Sequence, residues 1–276
     1  MNFKLEDFTN NGVAFPFKIN NSTEDFEGEY FRFQELAQKN FGKKLSLKPN
    51  LLSPFFDKLA THPDITKKIK KIIGENIYIW SSAFFAKAPG EGKIVSFHQD
   101  NPYWQLSSDK VVTAWIALTN SDKESGALEV VPSSHKIGLI NKLDVSNPRK
   151  SYLDGKKTTP DNDLLSYSQN LDDFVKKNKP VSIDLSPQQF SNHHVNAVHG
   201  SGVNETKNHR IGFAVRYISS ETTHLQEKSD LAIHLCGSKN IYYKEEKRPI
   251  ENFGEEEIKT YNMSMSSAGA FGNKKY

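Results

Sequence analysis

The stretch SFHQDNPYW, residues 96–104, brings a histidine and an aspartate two positions apart to the end of a predicted β-strand. Successive side chains of a strand leave opposite faces, so His98 and Asp100 share one face. An imidazole and a carboxylate together supply two ligands to a divalent metal. The best candidate for a third ligand is His199, in NAVHGSG, residues 196–202. Two histidines and one carboxylate, with three positions left open, form the facial triad of non-haem Fe(II) sites.

An arginine completes this pattern. Arg210 follows His199 by eleven residues and begins an alternating run that extends to Tyr217. The His-x-Asp pair, the distant His and an Arg at this offset resemble the phytanoyl-CoA dioxygenase family of Fe(II)/2-oxoglutarate-dependent oxygenases. Further segments resemble the family in the same order, from about residue 50 to about 218: Ala60–Pro63, Trp80–Phe85, Val112–Thr119, Val131–His135 and His193–Val195.

The periodicity predicts helices followed by strands. Helices are expected at about 22–40, 51–59 and 65–73, after a first strand at 12–19. Later segments are rich in β-branched and aromatic residues and are bounded by Gly, Pro, Asp and Ser. The predicted strands are Ile77–Ala86, Ile94–His98, Val111–Leu118, Leu128–Val131, Val181–Leu185, Phe190–His199, Arg210–Ile218 and Leu231–Leu235. We therefore expect a mainly β chain with flanking helices and a double-stranded β-helix core, the cupin-like jelly-roll. The resemblance implies the same fold.

We expect a single domain over residues 1–276. Its helical N-terminal part would cover about 20–75 and its β core about 76–236. A lid-like insertion at about 133–180 lacks strand signals, apart from a short helix expected around 171–177, and a loop this long is usually functional or disordered. A lid or substrate loop and a plain surface insertion remain alternatives for it.

The composition limits the partners. Net charge is +3, from 36 basic and 33 acidic residues, which is too balanced to indicate nucleic acid or an anionic membrane as the partner. No apolar stretch approaches the roughly 20 residues that a membrane span needs, and the N-terminus lacks the apolar region of a secretory signal. The one cysteine, Cys236, excludes a disulfide within the chain and suits a reducing, cytoplasmic location. We expect a small-molecule substrate; the oligomeric state stays open.

The resemblance implies roles for individual residues. His98, Asp100 and His199 would hold Fe(II), with 2-oxoglutarate and O2 as co-substrates. Arg210 would bind the distal carboxylate of 2-oxoglutarate, which a guanidinium fork matches in a bidentate way. The other positions that match co-substrate contacts of the family are Ser201, Trp115 and Gln99. Trp115 has an alternative as plain core.

Four more residues are candidates for the substrate pocket: Trp104, Tyr103, Lys87 and Arg216. The two aromatic residues would form a wall of the pocket or pack on the barrel mouth, and Lys87 would contact an anion or lie on the rim. Arg216 has the same strand parity as Arg210. Two unpaired buried guanidinium groups are costly, so one of them should meet an anion. Among the other histidines, His135, His193 and His194 are further ligand candidates. His194 has the opposite parity to His199, and the Pro-Ser-Ser-His turn of His135 favours a structural role or a contact to a ligand residue.

The expected activity is hydroxylation, or another oxidation at a C–H bond, of a small polar or anionic substrate, with succinate and CO2 as co-products. Related halogenating enzymes carry a small residue where this chain has Asp100, which favours oxygen transfer. Two alternatives are a non-catalytic jelly-roll that binds a small ligand beside a structural metal and a cupin-type metal isomerase. The ligand set also suits zinc.

Overall fold

Two β-sheets form the core of the computed structural model, which describes residues 4–20, 22–140, 159–165, 169–225 and 227–266. The larger sheet has the strand order β1-β7-β4-β9-β2-β10-β11 and the smaller one β3-β8-β5-β6. The strands are β1 (Val13–Lys18), β2 (Ile77–Lys87), β3 (Val95–His98), β4 (Val111–Ala117), β5 (Glu129–Val130), β6 (Val181–Ser182), β7 (Gln189–His194), β8 (His199–Ser201), β9 (Arg210–Ser219), β10 (Asp230–Cys236) and β11 (Tyr243–Glu245). Only β10 and β11 pair in parallel among the described strands. The predicted mainly β, jelly-roll core is confirmed.

The described helices are α1 (Phe8–Asn11), α2 (Phe26–Phe41), α3 (Pro54–Ala60), α4 (Pro63–Ile73), α5 (Asn101–Trp104), α6 (Asp172–Asn178) and α7 (Glu255–Ser266), with 3-10 turns at Leu5–Asp7, Pro49–Leu51 and Ser134–Ile137. Helices α1 to α4 and α7 contribute to one core with the larger sheet. Trp104 of α5 and Phe174 of α6 pack in separate clusters. None of the helices in the described ranges has the length and apolar character that crossing a membrane requires.

Local sequence explains where the long helices begin and end. The Asp25 side chain accepts a hydrogen bond from the Gly28 N–H at 2.9 Å, which caps α2. Gly42 ends that helix in the left-handed conformation, at φ 69°. In α4, Ile65 and Ile69 recur four residues apart on one face and are fully buried in the core shared with the sheet. Burying each such side chain stabilises the fold by about 1.5–3 kcal/mol.

Strand β9 separates the two environments of the larger sheet. Ile211, Phe213, Val215 and Tyr217 pack in the core that the helices share. The alternate residues Arg210, Ala214 and Arg216 face a cavity between the sheets. This alternation is the period of two that every strand imposes, and it brings both arginines to the interior as their parity predicted.

The predicted strand Phe190–His199 is wrong as one element. The chain forms β7, turns at residues 195–198, where the Ala197 N–H donates to the His194 carbonyl at 2.9 Å, and then enters β8. Strand β7 belongs to the larger sheet and β8 to the smaller one. The turn therefore transfers His199 from the sheet that the arginines occupy to the opposite sheet.

Several described elements were not predicted. Helix α5 follows Asp100 directly, and β11 and α7 form the C-terminal part of the described chain. The C-terminal segment is held by the core, because the Phe253 N–H donates to the Leu52 carbonyl at 2.9 Å. Of the predicted insertion at 133–180, residues 141–158 and 166–168 lie outside the described residues. Its described part contains α6, close to the helix expected at 171–177.

Candidate metal centre and its cavity

Three buried side chains meet where β3 and β8 pair. His98 and His199 are register partners in the smaller sheet, and their ring centroids lie 4.2 Å apart. Asp100 follows β3. Its Oδ1 lies 3.4 Å from His98 Nε2 and 3.9 Å from His199 Nε2. These separations are too long for good hydrogen bonds. One ligand atom from each residue falls within 4.8 Å of the others. Ligands about 2.1 Å from one ion at a right angle lie about 3 Å apart, so the cluster fits one cation.

The backbone sets the tautomers of both histidines. His98 Nδ1 lies 2.9 Å from the Ser96 carbonyl oxygen, and His199 Nδ1 lies 2.9 Å from the Ala197 carbonyl oxygen. A carbonyl only accepts, so each Nδ1 carries the proton and donates. Each Nε2 then presents its lone pair towards Asp100. Metal-binding histidines are commonly oriented by such a bond from the other ring nitrogen, so the donor set fits a divalent metal.

The protonation states agree with a ligand role. Burial, and then the charge of His98, lower the pKa of His199 to about 4, which keeps this imidazole neutral at pH 7. Burial favours the neutral form of Asp100. The nearby His199 and His98 outweigh that effect and hold the Asp100 pKa well below its usual range. The centre therefore combines one carboxylate anion with a neutral His199 imidazole.

The cavity beside this centre has a volume of about 530 Å³. Arg210 lies at one part of it, is 2% exposed and donates from Nη1 to the Phe85 carbonyl at 3.1 Å. Burial lowers the pKa of Arg210 to about 10, so the guanidinium stays charged at pH 7. Ser201 lines the same cavity. A small carboxylate entering there meets a fixed cation and a hydroxyl.

Trp115 lies over Arg210, with the guanidinium carbon 5.6 Å from the ring centroid. Gly212 permits this approach. A Cβ built on Gly212 would lie 1.9 Å from Trp115 Cζ2, closer than real Cβ atoms come. Trp115 lines the cavity and also packs in an interior cluster with Ala117 and Ala214. Trp115 therefore has both expected positions: it lines the cavity, and it packs in the core.

The structure contradicts the prediction that Gln99 contacts a co-substrate. The Gln99 amide donates to the Gly138 and Asn196 carbonyls, both at 2.8 Å, and its Oε1 accepts from the Ile140 N–H at 2.9 Å. Gln99 is not among the residues that line the cavity. The physical reason is that β3 ends at His98, and backbone groups at Gly138, Ile140 and Asn196 hold the Gln99 amide.

Lys87 also differs from its prediction, because it neither lines the cavity nor lies on its rim. It is 1% exposed and is the register partner of Arg210. Its ammonium donates to Ser201 Oγ at 2.6 Å, to the Ser201 carbonyl at 3.2 Å and to the Gly202 carbonyl. Three acceptors match the three donors of an ammonium. Burial, and then Arg210, lower the pKa of Lys87 to about 7. Lys87 therefore positions Ser201.

The remaining pocket candidates meet near the metal centre. Tyr103, Trp104 and Arg216 all line the cavity. The Tyr103 ring makes an edge contact with His98, with centroids 5.7 Å apart. The Arg216 guanidinium carbon lies 5.6 Å from the centroids of both Trp104 and Phe85. Helix α5 supplies the two aromatic residues one turn after Asp100.

The other histidines near the site are not part of the ligand cluster. The His193 ring lies 4.7 Å from that of His199 and lines the cavity, yet His193 is outside the three-residue ligand cluster. His194 leaves the other face and lies beside His135, with ring centroids 5.0 Å apart. His135 in turn contacts the Thr9 carbonyl, at 3.0 Å from Nε2. Neither of these two is a ligand candidate.

Some lining residues were missed. Thr113 shares the parity of Trp115 along β4, so the period of two contained the signal that places it in the cavity. Tyr30 and Gln34 of α2 and the segment 44–47 also line the cavity. No local pattern in the sequence marks these residues, because the packing of α2 against the barrel brings them there.

Fold and site together define a double-stranded β-helix protein with a buried two-histidine, one-carboxylate metal centre and an arginine in the adjoining cavity. The sequence model of the phytanoyl-CoA dioxygenase (PhyH) family matches residues 18–212, and the chain belongs to this family. The resemblance found in the sequence is confirmed.

Known proteins agree with this assignment. The chain is 26% identical over 223 residues to phytanoyl-CoA dioxygenase domain-containing protein 1 of Danio rerio, covering 78% of this chain and 69% of that protein. It is 24% identical over 173 residues to a probable alpha-ketoglutarate-dependent hypophosphite dioxygenase of Stutzerimonas stutzeri, covering 63% of this chain but only 56% of that protein. Among solved structures, the apo form of the non-heme monooxygenase ThoJ matches with a TM-score of 0.76, 21% identity and 96% coverage of both chains.

Proposed function

We propose that this chain is an Fe(II)- and 2-oxoglutarate-dependent dioxygenase that hydroxylates a small polar or anionic organic molecule at a C–H bond, with succinate and CO2 as co-products. Membership of the phytanoyl-CoA dioxygenase family supports the class. The observation that carries the proposal is the buried cluster of His98, Asp100 and His199 in a cavity that also contains Arg210. The alpha-ketoglutarate dependence in the name of the Stutzerimonas stutzeri relative supports the co-substrate.

In this proposal His98, Asp100 and His199 hold the iron through Nε2, a carboxylate oxygen and Nε2. Bound iron with 2-oxoglutarate and O2 supplies the oxidation of the C–H bond. The side chains of the protein bind the iron, 2-oxoglutarate and the substrate and orient them. Arg210 receives the distal carboxylate of 2-oxoglutarate, whose fork geometry and charge it matches.

Two neighbours assist Arg210 in this role. Ser201 Oγ is held by the Lys87 ammonium at 2.6 Å and adds a hydroxyl to the same subsite. The Trp115 indole lies over the guanidinium and restricts its position. Because Asp100, Arg210 and Arg216 are buried, solvent screens their charges weakly, which strengthens each charged contact.

Asp100 supports oxygen transfer rather than halogenation. A halide needs a vacant ligand position, and here a buried carboxylate occupies the third corner of the cluster. Reaction with a C–H bond in the presence of chloride should therefore give a hydroxylated product alone. A chlorinated product from the wild-type protein would contradict this part of the proposal.

The test is anaerobic addition of Fe(II) and then 2-oxoglutarate to the purified protein, followed by visible spectroscopy. A charge-transfer band of an iron–oxoglutarate chelate is expected in the wild type. His199→Ala should lose the band, and Arg210→Ala should need a higher 2-oxoglutarate concentration to reach it.

Outcomes of this test also separate the rival functions. An iron-loaded, folded wild type without the band would refute the proposal and favour a ligand-binding jelly-roll with a structural metal. A cupin-type isomerase has no need of Arg210, so unchanged turnover of Arg210→Ala without succinate release would favour that alternative.

A further inference from the structure

A row of polar side chains crosses the inner face of the larger sheet beside the metal centre. Ser81 is the register partner of Arg216, Arg216 of Thr113, and Thr113 of His193. Register partners on neighbouring strands point to the same face. Arg216, Thr113 and His193 line the cavity. We name these four residues the Arg216 row.

The Arg216 row is buried and incompletely satisfied. Its members are between 2% and 5% exposed. Ser81 Oγ, Thr113 Oγ1 and His193 Nδ1 have no hydrogen-bond partner among the described residues. A buried polar atom left in this state costs about 1–3 kcal/mol. Polar groups retained at such a cost in a cavity wall indicate a ligand that satisfies them.

The fold itself does not require polar side chains here. The neighbouring row on the same face, two residues along each strand, consists of Ala83, Ala214, Trp115 and Ser191. The first three are apolar and pack in the interior, whereas Ser191 is buried and polar. On β2, β9 and β4 this face therefore accepts apolar residues, and the sheet does not require the polar residues Ser81, Arg216 and Thr113 there.

Aromatic rings fix the guanidinium of Arg216. Trp104 and Phe85 each lie 5.6 Å from it, within the range of a cation–π contact. Burial lowers the pKa of Arg216 to about 10, and Asp100 partly offsets this effect. The group is therefore a charged fork in a fixed position at pH 7.

Cations outnumber anions on the cavity wall. Among the described residues that line it, Arg210 and Arg216 are buried cations, and Asp100 is the one carboxylate. Lys44 and Lys93 add positive charge at the more exposed part of the cavity. The wall therefore favours a substrate that carries a negative charge.

We propose that the Arg216 row is the carboxylate-binding site for the primary substrate, which is a small organic acid. The proposal rests on the proposed function and narrows its substrate class. Arg216 binds the carboxylate through its fork, and the Thr113 hydroxyl on the neighbouring strand adds a donor in the same cavity. Trp104 covers the adjoining carbon skeleton, which lies beside the metal centre where the C–H bond is oxidised.

The experiment uses full-length protein loaded anaerobically with Fe(II) and 2-oxoglutarate. Calorimetric titration compares benzoate with benzamide and hexanoate with hexanamide, with acetate as the smallest carboxylate probe. Each amide keeps the shape of its acid and removes the charge. We expect each acid to bind about ten- to a hundredfold more tightly than its amide, the range of a charged hydrogen bond.

Variants assign that preference to a residue. Arg216→Gln should reduce the acid-over-amide ratio to about one and abolish acetate binding, while the iron–oxoglutarate band stays within about twofold in 2-oxoglutarate dependence. Arg216→Lys should retain part of the ratio, since it keeps the charge and loses the fork. Arg32→Gln, on the exposed surface of α2, is the matched control and should leave the ratio unchanged. Circular dichroism checks that every variant is folded.

Three outcomes overturn the proposal. The acid preference survives in Arg216→Gln, or the wild type prefers neither benzoate nor hexanoate to its amide and does not bind acetate, or Arg216→Gln loses the iron–oxoglutarate band that the wild type shows. The last outcome would assign Arg216 to the metal centre. A wild type without the band would refute the proposed function instead. The same acid and amide titrations of the apoprotein would then decide whether Arg216 binds carboxylates.

Discussion

Replacing Gly212 with alanine tests the contact between Trp115 and the proposed 2-oxoglutarate subsite. The added Cβ would lie 1.9 Å from Trp115 Cζ2, 1.1 Å closer than the 3.0 Å below which real Cβ atoms are essentially never found. The indole must therefore move by more than 1 Å. It is 4% exposed, so it moves against packed neighbours.

Two effects of opposite sign decide the stability of Gly212→Ala. Alanine is favoured over glycine in a strand interior by about 0.5–1 kcal/mol, because it loses less backbone entropy on folding. Overpacking a close-packed interior costs about 1–3 kcal/mol. An overlap of this size lies at the upper end of that range, so overpacking prevails. We expect a net loss of about 1–2 kcal/mol, seen as a thermal midpoint lower by several degrees.

The same displacement should weaken 2-oxoglutarate binding. The indole lies 5.6 Å from the Arg210 guanidinium, and a contact of this kind is worth about 0.5–2 kcal/mol. Its loss corresponds to about a tenfold rise in the dissociation constant. Anaerobic titration of the iron-loaded protein with 2-oxoglutarate measures this dissociation constant.

Two further variants isolate the cause. Gly202→Ala is the matched control, because a Cβ at Gly202 meets nothing within 4 Å, and it should leave affinity and thermal midpoint unchanged. In a Trp115→Phe background, Gly212→Ala should cost less, since the smaller ring relieves the overlap. Equal thermal midpoints and equal 2-oxoglutarate affinities for wild type and Gly212→Ala would show that the indole is not where the structure has it.

Three more predictions concern metal binding, pH and a buried ion pair. Fe(II) at about a hundred times its dissociation constant should stabilise the wild type by about 2.7 kcal/mol in anaerobic thermal unfolding, and chelator should reverse this; an equal stabilisation of His199→Ala would contradict the ligand assignment. Burial, and then His135, lower the His194 pKa from 6.5 to about 4, and its Nδ1 accepts from the Asn196 N–H at 3.1 Å. The unfolded chain therefore takes up this proton first as pH falls, so up to about 3 kcal/mol is present above pH 6.5 and is lost between 6.5 and 4. His194→Asn, whose amide oxygen replaces Nδ1, should lack that part of the decline in urea unfolding at stepped pH, and an unchanged decline would refute the assignment. Lys48 pairs with Glu246 at 2.6 Å in a buried environment, so Lys48→Met should destabilise by about 3–5 kcal/mol in urea unfolding. Adding Glu246→Leu should restore most of the loss, and a single variant as stable as the wild type would show that the pair is not buried in solution.

The metal centre was predictable because two short segments carry its chemistry: one contains His98 and Asp100, and the other contains His199 with Arg210 eleven residues later. The two-residue separation of His98 and Asp100 fixes a common face wherever that segment is extended. The inward direction of Arg216 followed from the same period along β9. Gln99 shows the limit of the resemblance. Backbone groups at Gly138, Ile140 and Asn196 bind its amide, and these long-range contacts are not contained in the local pattern.

The turn at residues 195–198 could not be predicted from the sequence. The segment Val195-Asn196-Ala197-Val198 contains no glycine or proline, and its apolar residues are fully buried, which is also typical of a strand. The turn is fixed by long-range contacts instead. The Val195 carbonyl accepts from the Asp100 N–H at 3.0 Å, and the Val198 N–H donates to Ser134 Oγ at 2.8 Å. Both partners lie far along the chain.

The turn at residues 195–198 separates the histidines of the candidate metal centre from the two arginines of the cavity. It places His199 on the smaller sheet with His98, whereas Arg210 and Arg216 stay on β9 of the larger sheet. The metal ligands and the two cations therefore occupy facing walls of one cavity. Because the walls share no strand, a substitution at Arg216 alters the charge of one wall without changing the backbone that orients either histidine. Substrate preference can then change on the larger sheet while the ligand geometry, set by the carbonyls of Ser96 and Ala197, is retained.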